Sequence, residues 1–334
     1  MTRYTLAAAR DIALRVLGNA GVTAPNAAAV ADALVAAEAD GLASHGLSRL
    51  PAYADQAKAG KVAGAAVPKL SETAPAALMV DACDGFAFPA IARGLAHART
   101  MAAASGVVGV GITNSHHFGA AGYHVEPLAA AGLVALAFGN SPAAIAPWGG
   151  SKPLYGTNPI AFGCPRGAAK PPLVVDLSLS KVARGKIMVA AQRNEPIPEG
   201  WALDAAGQPT TDAKAALAGT MLPLGDAKGA ALVLVVELLS AALTGAHFGY
   251  EASSFFDAKG PPPRVGQFFL VIDPARFAGP GFADRVGVLA DAVLGQKGTR
   301  LPGDRRLAAR ARAAKDGIDV PDALAQDLER RAGG

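Results

Sequence analysis

His45 and Arg49 stand four residues apart in Ser44–His45–Gly46–Leu47–Ser48–Arg49, a spacing that sets imidazole and guanidinium on one face if a single helix carries both. A guanidinium there can grip a carboxylate through two parallel hydrogen bonds. An imidazole, with an unperturbed pKa of about 6.5, gives or takes a proton near neutrality. Reduction of a 2-oxo acid requires that pair: one group holds the carboxylate and the other protonates the oxygen as hydride arrives. Ser44 is placed to orient the imidazole. Taken alone, the motif also fits a helix N-cap with a surface histidine and a surface arginine.

Four further segments carry polar groups where ligands are commonly held. Asn114–Ser115–His116–His117–Phe118–Gly119 follows the apolar run Val107–Ile112 and opens a helix at Ala120. Strand ends of this kind are where α/β folds bind ligands, and free amides at a helix start suit a phosphate. A tight turn with two satisfied histidines is the alternative; His124 and His97 are expected to pack. Tyr155–Gly156–Thr157–Asn158–Pro159 offers short polar contacts from Thr157 and Asn158 in a turn fixed by Pro159, or a structural turn alone. Asp176–Leu177–Ser178–Leu179–Ser180, followed by Arg184–Gly185–Lys186, reads as a ligand-facing strand end or as a capped helix start with solvated cations. Gly298–Thr299–Arg300–Leu301–Pro302–Gly303–Asp304–Arg305–Arg306 is an anion clamp or a solvated basic loop.

Several alternatives are excluded by what the sequence lacks. It has no G-x-G-x-x-G; the nearest approach, Gly109–Val110–Gly111, carries Asn114 at the last position. It also has no G-x-x-x-x-G-K-[ST], no HExxH and no Cys/His ligand pattern. Cys83 and Cys164 form no disulfide framework, which points to a reducing compartment.

The elements that must position these groups follow from the hydrophobic pattern. Helices are expected over 4–19, 25–40 and up to Lys58, the last starting at either Ser44 or Ser48. From Ala77 the pattern changes to short strands at Leu78–Val80, Val107–Ile112, Leu133–Phe138, Leu173–Val175 and Phe268–Ile272. Helices alternate with them at Pro89–Ala104, Ala120–Ala131 (with Pro127 inside) and Gly229–Leu243, which argues for an α/β fold. Residues 140–165 and 192–228 read as long ordered loops, and helices return near 282–294 and 321–331. The expected division is a helical part over 1–75, a mixed α/β region over 76–275 and a helical return over 276–334.

Composition narrows the class. The chain has 334 residues, 51% apolar and 17% charged, which excludes disorder. Mean hydropathy is +0.27, yet Leu128–Phe138 and Gly229–Val236 fall short of the roughly 18 apolar residues of a spanning helix. No basic, apolar leader opens the chain, so a soluble cytoplasmic protein with no membrane partner is expected. The net charge is +4 and the tail from 295 is basic. That tail has no aromatic residue for base stacking, so no nucleic-acid partner is expected.

Six ordered motifs, SHGLSRLPAY at 44–53, NSHHFGAAGYH at 114–124, APWGG at 146–150, GTNPIAF at 156–162, ARGKI at 183–187 and RLPGDR at 300–305, together resemble the malate/L-lactate dehydrogenase-like family. That family is distinct from the Rossmann-type enzymes of similar name. The resemblance implies an NAD(P)H-dependent oxidoreductase, a nucleotide-binding fold of its own built on a mixed sheet, and a homodimer. It assigns His45 as proton donor, Ser44 as its partner, Arg49 to the substrate carboxylate and Thr157 as a second substrate contact. His117, Phe118, Gly119, Ala120, Ala121, Asp176, Leu177, Ser178, Arg184, Gly185, Asp226 and the loop Gly298, Thr299, Arg300, Leu301, Pro302, Gly303 and Asp304 line the cofactor. NADPH is preferred over NADH because Arg300, Arg305 and Arg306 suit a 2′-phosphate.

Two departures stand out. Members that reduce cyclic imines can carry an acid where this chain has Lys186, and Asp226–Ala227 replaces the Gly and aromatic residue of many relatives. The expected substrate is a 2-oxo acid of the malate, lactate or sulfolactate kind. The alternatives are Δ1-piperideine-2-carboxylate or Δ1-pyrroline-2-carboxylate, or non-catalytic binding of a carboxylate or nucleotide.

Overall fold

A computed structural model describes residues 1–167 and 170–333. A short strand β1 (Thr2–Tyr4) leads into α1 (Leu6–Gly18), α2 (Ala24–Ala39) and α3 (Leu50–Lys58). The side chain of Thr5 caps α1 by accepting from the Ala8 amide at 3.1 Å. Ala9, Ile12, Ala13, Val16 and Leu17 bury its inner face, the three-and-four spacing that makes a helix amphipathic. Next come β2 (Lys69–Ala74), β3 (Ala77–Asp81), α4 (Ala87–Ser105), β4 (Val107–Ser115), α5 (Gly122–Ala130), β5 (Val134–Gly139), β6 (Ile160–Cys164) and β7 (Leu173–Leu177). The chain continues through α6 (Arg184–Arg193), β8 (Ala202–Leu203), α7 (Ala213–Ala218), β9 (Thr220–Met221), α8 (Asp226–Glu237) and β10 (Val265–Ile272). It closes with α9 (Phe282–Leu294), α10 (Asp304–Asp316), β11 (Ile318–Val320) and α11 (Asp322–Ala332).

Seven strands form one mixed sheet in the order β2-β3-β4-β10-β5-β6-β7. Only β3 and β4 run parallel, joined by the α4 crossover; every other neighbouring pair is antiparallel. Gly94 is what lets α4 lie close to the sheet, since a Cβ there would stand 2.9 Å from Val110 Cγ1.

The expected loop over 140–165 contains β6. The run Ile160–Cys164 is short and flanked by proline and glycine, so it reads as loop locally, but pairing with β5 and β7 on both sides secures it. The expected loop over 192–228 likewise holds α7, β8 and β9, elements too short to show a period. α8 runs on from Glu237 into a single π turn, Leu238–Ala242. His97, expected to pack, pairs instead with Glu72 at 2.6 Å on the surface.

Three apolar cores hold the chain. One joins α1–α3 to the C-terminal segment through residues such as Leu34, Leu50, Ile318 and Leu328. A second lies against the sheet, and the third packs α6–α8 beside Ile145 and Leu179.

An ion cluster pins α10 to the first two cores. Arg306 donates to Glu126 at 2.7 and 3.0 Å and to Asp40 at 3.2 Å, and Arg310 meets both acids as well. Arg306 is therefore committed, which corrects the expectation that it can hold a 2′-phosphate. Burial pushes the Glu126 carboxyl up, but the two arginines outweigh it and hold it below the usual range. Its contribution to stability is thus present above the unfolded carboxylate pKa of about 4.3 and is lost as pH falls through the lower folded value. Arg306→Ala is expected to cost about 2 kcal/mol at neutral pH by removing charged hydrogen bonds from two largely buried acids that Arg310 still pairs. Chemical denaturation should show that cost shrinking toward pH 3; an equal cost at both pH values contradicts the assignment.

Candidate active site

After α2 the chain makes two single 3₁₀ turns, Ala43–His45 and Leu47–Arg49, before Pro51 opens α3. His45 and Arg49 therefore do not share a helix, and the helical-face expectation is corrected. Gly46, at φ −96° and ψ −140°, breaks the helix between them. A Cβ on Gly46 would overlap the Glu38 carboxylate, which accepts the Leu47 amide at 2.8 Å and props the turn from below. Arg49 folds back because its Nε donates to the Ser44 carbonyl at 2.8 Å, leaving the terminal nitrogens as a fork with no hydrogen bond or ion pair among the described residues.

Ser44 Oγ lies 3.0 Å from His45 Nδ1. The His45 ring stacks on His117 with centroids 5.6 Å apart, so β4's exit and the α2–α3 connection meet here. Tyr53, fully buried on α3, places its Oη 2.5 Å from His117 Nδ1. Phe255 packs on His116 and His117 at 5.2 Å, and the Arg49 guanidinium carbon sits 4.7 Å from the Phe256 ring centre.

Sequence reasoning missed Tyr53, both phenylalanines and the residues that anchor their loop. Gln56 Nε2 donates to the Phe255 and Asp257 carbonyls at 2.9 and 3.1 Å. Lys61, only 2% exposed, spends its ammonium on the carbonyls of Ser254, Asp257 and Lys259 at 2.7, 3.0 and 2.7 Å. The one signal available was a lysine three residues after α3, whose role depends on a loop far along the chain.

His45, Arg49 and His117 are half-buried: solvent reaches them, yet protein surrounds them on most sides. Burial first, and then the Arg49 charge, pushes His45 down to about 4. Burial also holds His117 well below the ordinary value and takes His116, sealed among aromatic rings, to about 3. The cluster is thus neutral apart from Arg49 at pH 7, and among the described residues no carboxylate hydrogen-bonds or ion-pairs with it.

A second group of expected residues converges where α5, β7 and α10 begin or end. Asp176 Oδ2 accepts the Gly122 amide at 2.7 Å, and burial raises its carboxyl. Val174 lies beside both Gly122 and Gly303, since a Cβ on Gly122 would stand 3.2 Å from its Cγ1 and one on Gly303 would stand 3.3 Å from its carbonyl oxygen. Leu301 is buried, its amide donating to Asp304 at 2.8 Å. Phe118 and Ala121 are buried, Phe118 stacked on His124, so Phe118, Gly119, Ala120 and Ala121 offer backbone rather than side chains. Thr157 ties this region to the next: its carbonyl accepts from the Leu179 amide at 2.9 Å and from Ser178 Oγ at 3.4 Å. α6 then brings Gly185 beside Ser44, since a Cβ on Gly185 would lie 3.9 Å from Ser44 Cβ.

Other expected residues are not joined to this group. Asp226 is exposed at φ 55°, and no hydrogen bond or ion pair reaches its side chain among the described residues. Gly298, Thr299, Arg300 and Pro302 are exposed, with Thr299 Oγ1 donating to the Gln296 carbonyl at 2.8 Å.

The arrangement fits a phosphate-bearing dinucleotide. α10 begins without a side-chain cap, while α5 spends its first amide on Asp176 Oδ2, whose Oδ1 has no partner among the described residues. Open helix starts bind phosphate, and a carboxylate at a strand end suits a ribose hydroxyl.

A histidine–arginine pair beside such a cradle, on a mixed sheet without a glycine-rich loop, defines a dehydrogenase outside the Rossmann group. The chain belongs to the malate/L-lactate dehydrogenase family, whose model matches residues 4–329. It is 54% identical over 328 residues to a (2R)-3-sulfolactate dehydrogenase (NADP(+)) of Chromohalobacter salexigens, covering 98% of this chain and 97% of that one. It is 43% identical over 331 residues to a Delta(1)-pyrroline-2-carboxylate/Delta(1)-piperideine-2-carboxylate reductase of Pseudomonas aeruginosa, covering 98% of each. The crystal structure of a delta1-piperideine-2-carboxylate reductase from Pseudomonas syringae superposes with a TM-score of 0.94 at 39% identity, covering 99% of this chain and 100% of that one. The family expected from the six motifs is the family found.

Proposed function

We propose that the protein is an NADP(H)-dependent dehydrogenase that interconverts an open-chain 2-oxo acid and its 2-hydroxy acid, with substrates bearing a second anionic group, such as 3-sulfolactate, preferred. Bound reduced nicotinamide supplies the hydride. Arg49 takes the substrate carboxylate on that fork while Phe256 covers one face of the guanidinium. His45 delivers the proton from Nε2 to the C2 oxygen, with Ser44 Oγ holding Nδ1. Thr157 Oγ1, which has no intramolecular partner among the described residues, serves as a second substrate contact. NADH is the secondary cofactor.

The observation that carries the substrate preference is the pair of cations flanking Gly185. Arg184 and Lys186 occupy the first turn of α6, Gly185 approaches Ser44, and neither cation has an ion-pair partner among the described residues. Such a setting attracts a sulfonate or second carboxylate and opposes a protonated imine. The 54% identity to a sulfolactate dehydrogenase supports the same order. Lys186→Glu is expected to raise KM for sulfopyruvate about tenfold, a shift on the order of 1.4 kcal/mol, while changing pyruvate little. Steady-state kinetics with an unchanged sulfopyruvate KM would remove Lys186 from the account.

The same reading includes a cytoplasmic homodimer. Leu224, Val235, Leu238 and Leu243 are between 46 and 57% exposed along α8 and the turns beside it, an apolar strip of the kind that marks a protein interface. Sedimentation should give twice the 33.4 kDa chain mass; a monomer at micromolar concentration contradicts it. No helix is long and apolar enough to cross a membrane among the described residues, and Cys83 and Cys164 are free thiols, which suits a reducing compartment.

A further inference from the structure

Tyr53 has one hydrogen-bond partner among the described residues, His117 Nδ1 at 2.5 Å. The phenol is wholly buried. A buried O–H with no acceptor costs more than an unused lone pair on the same oxygen, because the oxygen can leave a lone pair idle but the proton must go somewhere. Tyr53 therefore donates, and Nδ1 accepts. A neutral imidazole that accepts at Nδ1 carries its own proton on Nε2. That nitrogen has no partner among the described residues and is not sealed, in contrast to both nitrogens of His116, so it is reachable beside the stacked His45 ring. The groups facing His117 are Tyr53, Arg49, His45 and His116, none of them a carboxylate, so nothing stabilises a charged imidazolium there.

We propose, on the 2-oxo acid reading above, that Tyr53 is a positioning residue: it locks His117 in the Nε2–H form, making His117 a fixed hydrogen-bond donor to the substrate's C2 oxygen while His45 alone transfers the proton. The two stacked histidines then have different tasks. An oxygen gaining negative charge at C2 is stabilised most by a donor already oriented before the reaction, and a donor that keeps its proton needs no reset between turnovers. Without the phenol, His117 is free to place its proton on either nitrogen, and only one choice faces the substrate. A lost tautomer preference can remove catalysis while leaving geometry intact.

The test uses the full-length protein with its six histidines labelled with ¹⁵N, His117 being assigned through His117→Gln. Nitrogen shifts in the wild type should show His117 protonated at Nε2 and bare at Nδ1 from pH 5 to 8. In Tyr53→Phe, which keeps the ring and its packing, they should show a mixture of the two forms. The same variant should lose on the order of 10²-fold in kcat, with KM changed far less. In His117→Gln, whose amide nitrogen retains a donor, adding Tyr53→Phe should cost little more, because the phenol acts only through the imidazole. A wild-type His117 with its proton on Nδ1, an unchanged kcat in Tyr53→Phe, or full additivity of the two substitutions overturns the proposal. An intact Nε2–H form in a protein that turns over no 2-oxo acid instead overturns the functional reading, so the two failures are distinguishable.

Discussion

His45→Ala is expected to lower kcat for 2-oxo acid reduction by about 10²–10⁴-fold, the usual contribution of a positioned acid–base group, while cofactor affinity stays within a few fold. The size follows from the surroundings. His45 Nδ1 rests on Ser44 Oγ, an exposed hydroxyl that can turn to accept once the ring is protonated, whereas His117 Nδ1 takes the proton of the buried Tyr53 phenol and His116 is sealed. The pH dependence carries a definite sign. In the free protein burial and the Arg49 charge push His45 down to about 4. A substrate carboxylate on Arg49 cancels the second of these, so the ionisation seen in kcat should lie above the one seen in kcat/KM. Reduction uses the protonated form and slows as pH rises through that ionisation; oxidation uses the neutral form and speeds up. Both limbs should vanish in His45→Ala. A loss well under 10²-fold, or a limb that survives, would mean that another group moves the proton. Inert His45→Ala with unchanged ligand binding in a protein that never turned over would instead identify a non-catalytic binder.

For Arg49→Ala the expected loss is in kcat/KM, on the order of 10²–10³-fold, as for truncating one partner of an enclosed, hydrogen-bonded charge pair at about 2–5 kcal/mol. Arg49→Lys should recover little of it, because a point charge cannot reproduce the planar fork that the Ser44 carbonyl aims by taking Nε. Arg49→Ala also uncovers Phe256 and removes the charge that, after burial, depresses His45, so its pH profile should shift upward. Parallel Michaelis–Menten series on carboxylate substrates decide the matter; an Arg49→Ala enzyme with wild-type kcat/KM removes Arg49 from the site.

Much of the site was readable because the chain marks it locally. Polar groups follow apolar strands at Asn114–His117 and at Asp176–Ser178, and the structure brings both segments to helix starts. The α/β alternation and the strand cores of β3, β4, β5, β7 and β10 were likewise explicit in their short apolar runs. The misses share one cause, dependence on partners far away in sequence. Ile160–Cys164 becomes a strand only because β5 and β7 flank it. Phe255 reaches the histidines because Gln56, 199 residues earlier, holds its carbonyl. Arg306 looked like a free cation until Asp40 and Glu126 closed on it. The four-residue spacing of His45 and Arg49 suggested a helix, yet Gly46 breaks it, and the pairing survives through a side chain returning to the Ser44 carbonyl. The motif thus brings the two side chains together, while local periodicity gives the wrong reason for its geometry.

The most direct measurement is cofactor oxidation by the purified protein, followed by absorbance, with NADPH and NADH each crossed against sulfopyruvate, oxaloacetate, pyruvate and Δ1-piperideine-2-carboxylate. Turnover should be fastest with NADPH and a dianionic open-chain acid, sulfopyruvate or oxaloacetate. Turnover confined to the cyclic imine would contradict the substrate reading drawn from Arg184 and Lys186, and silence with every substrate would contradict the proposed activity itself.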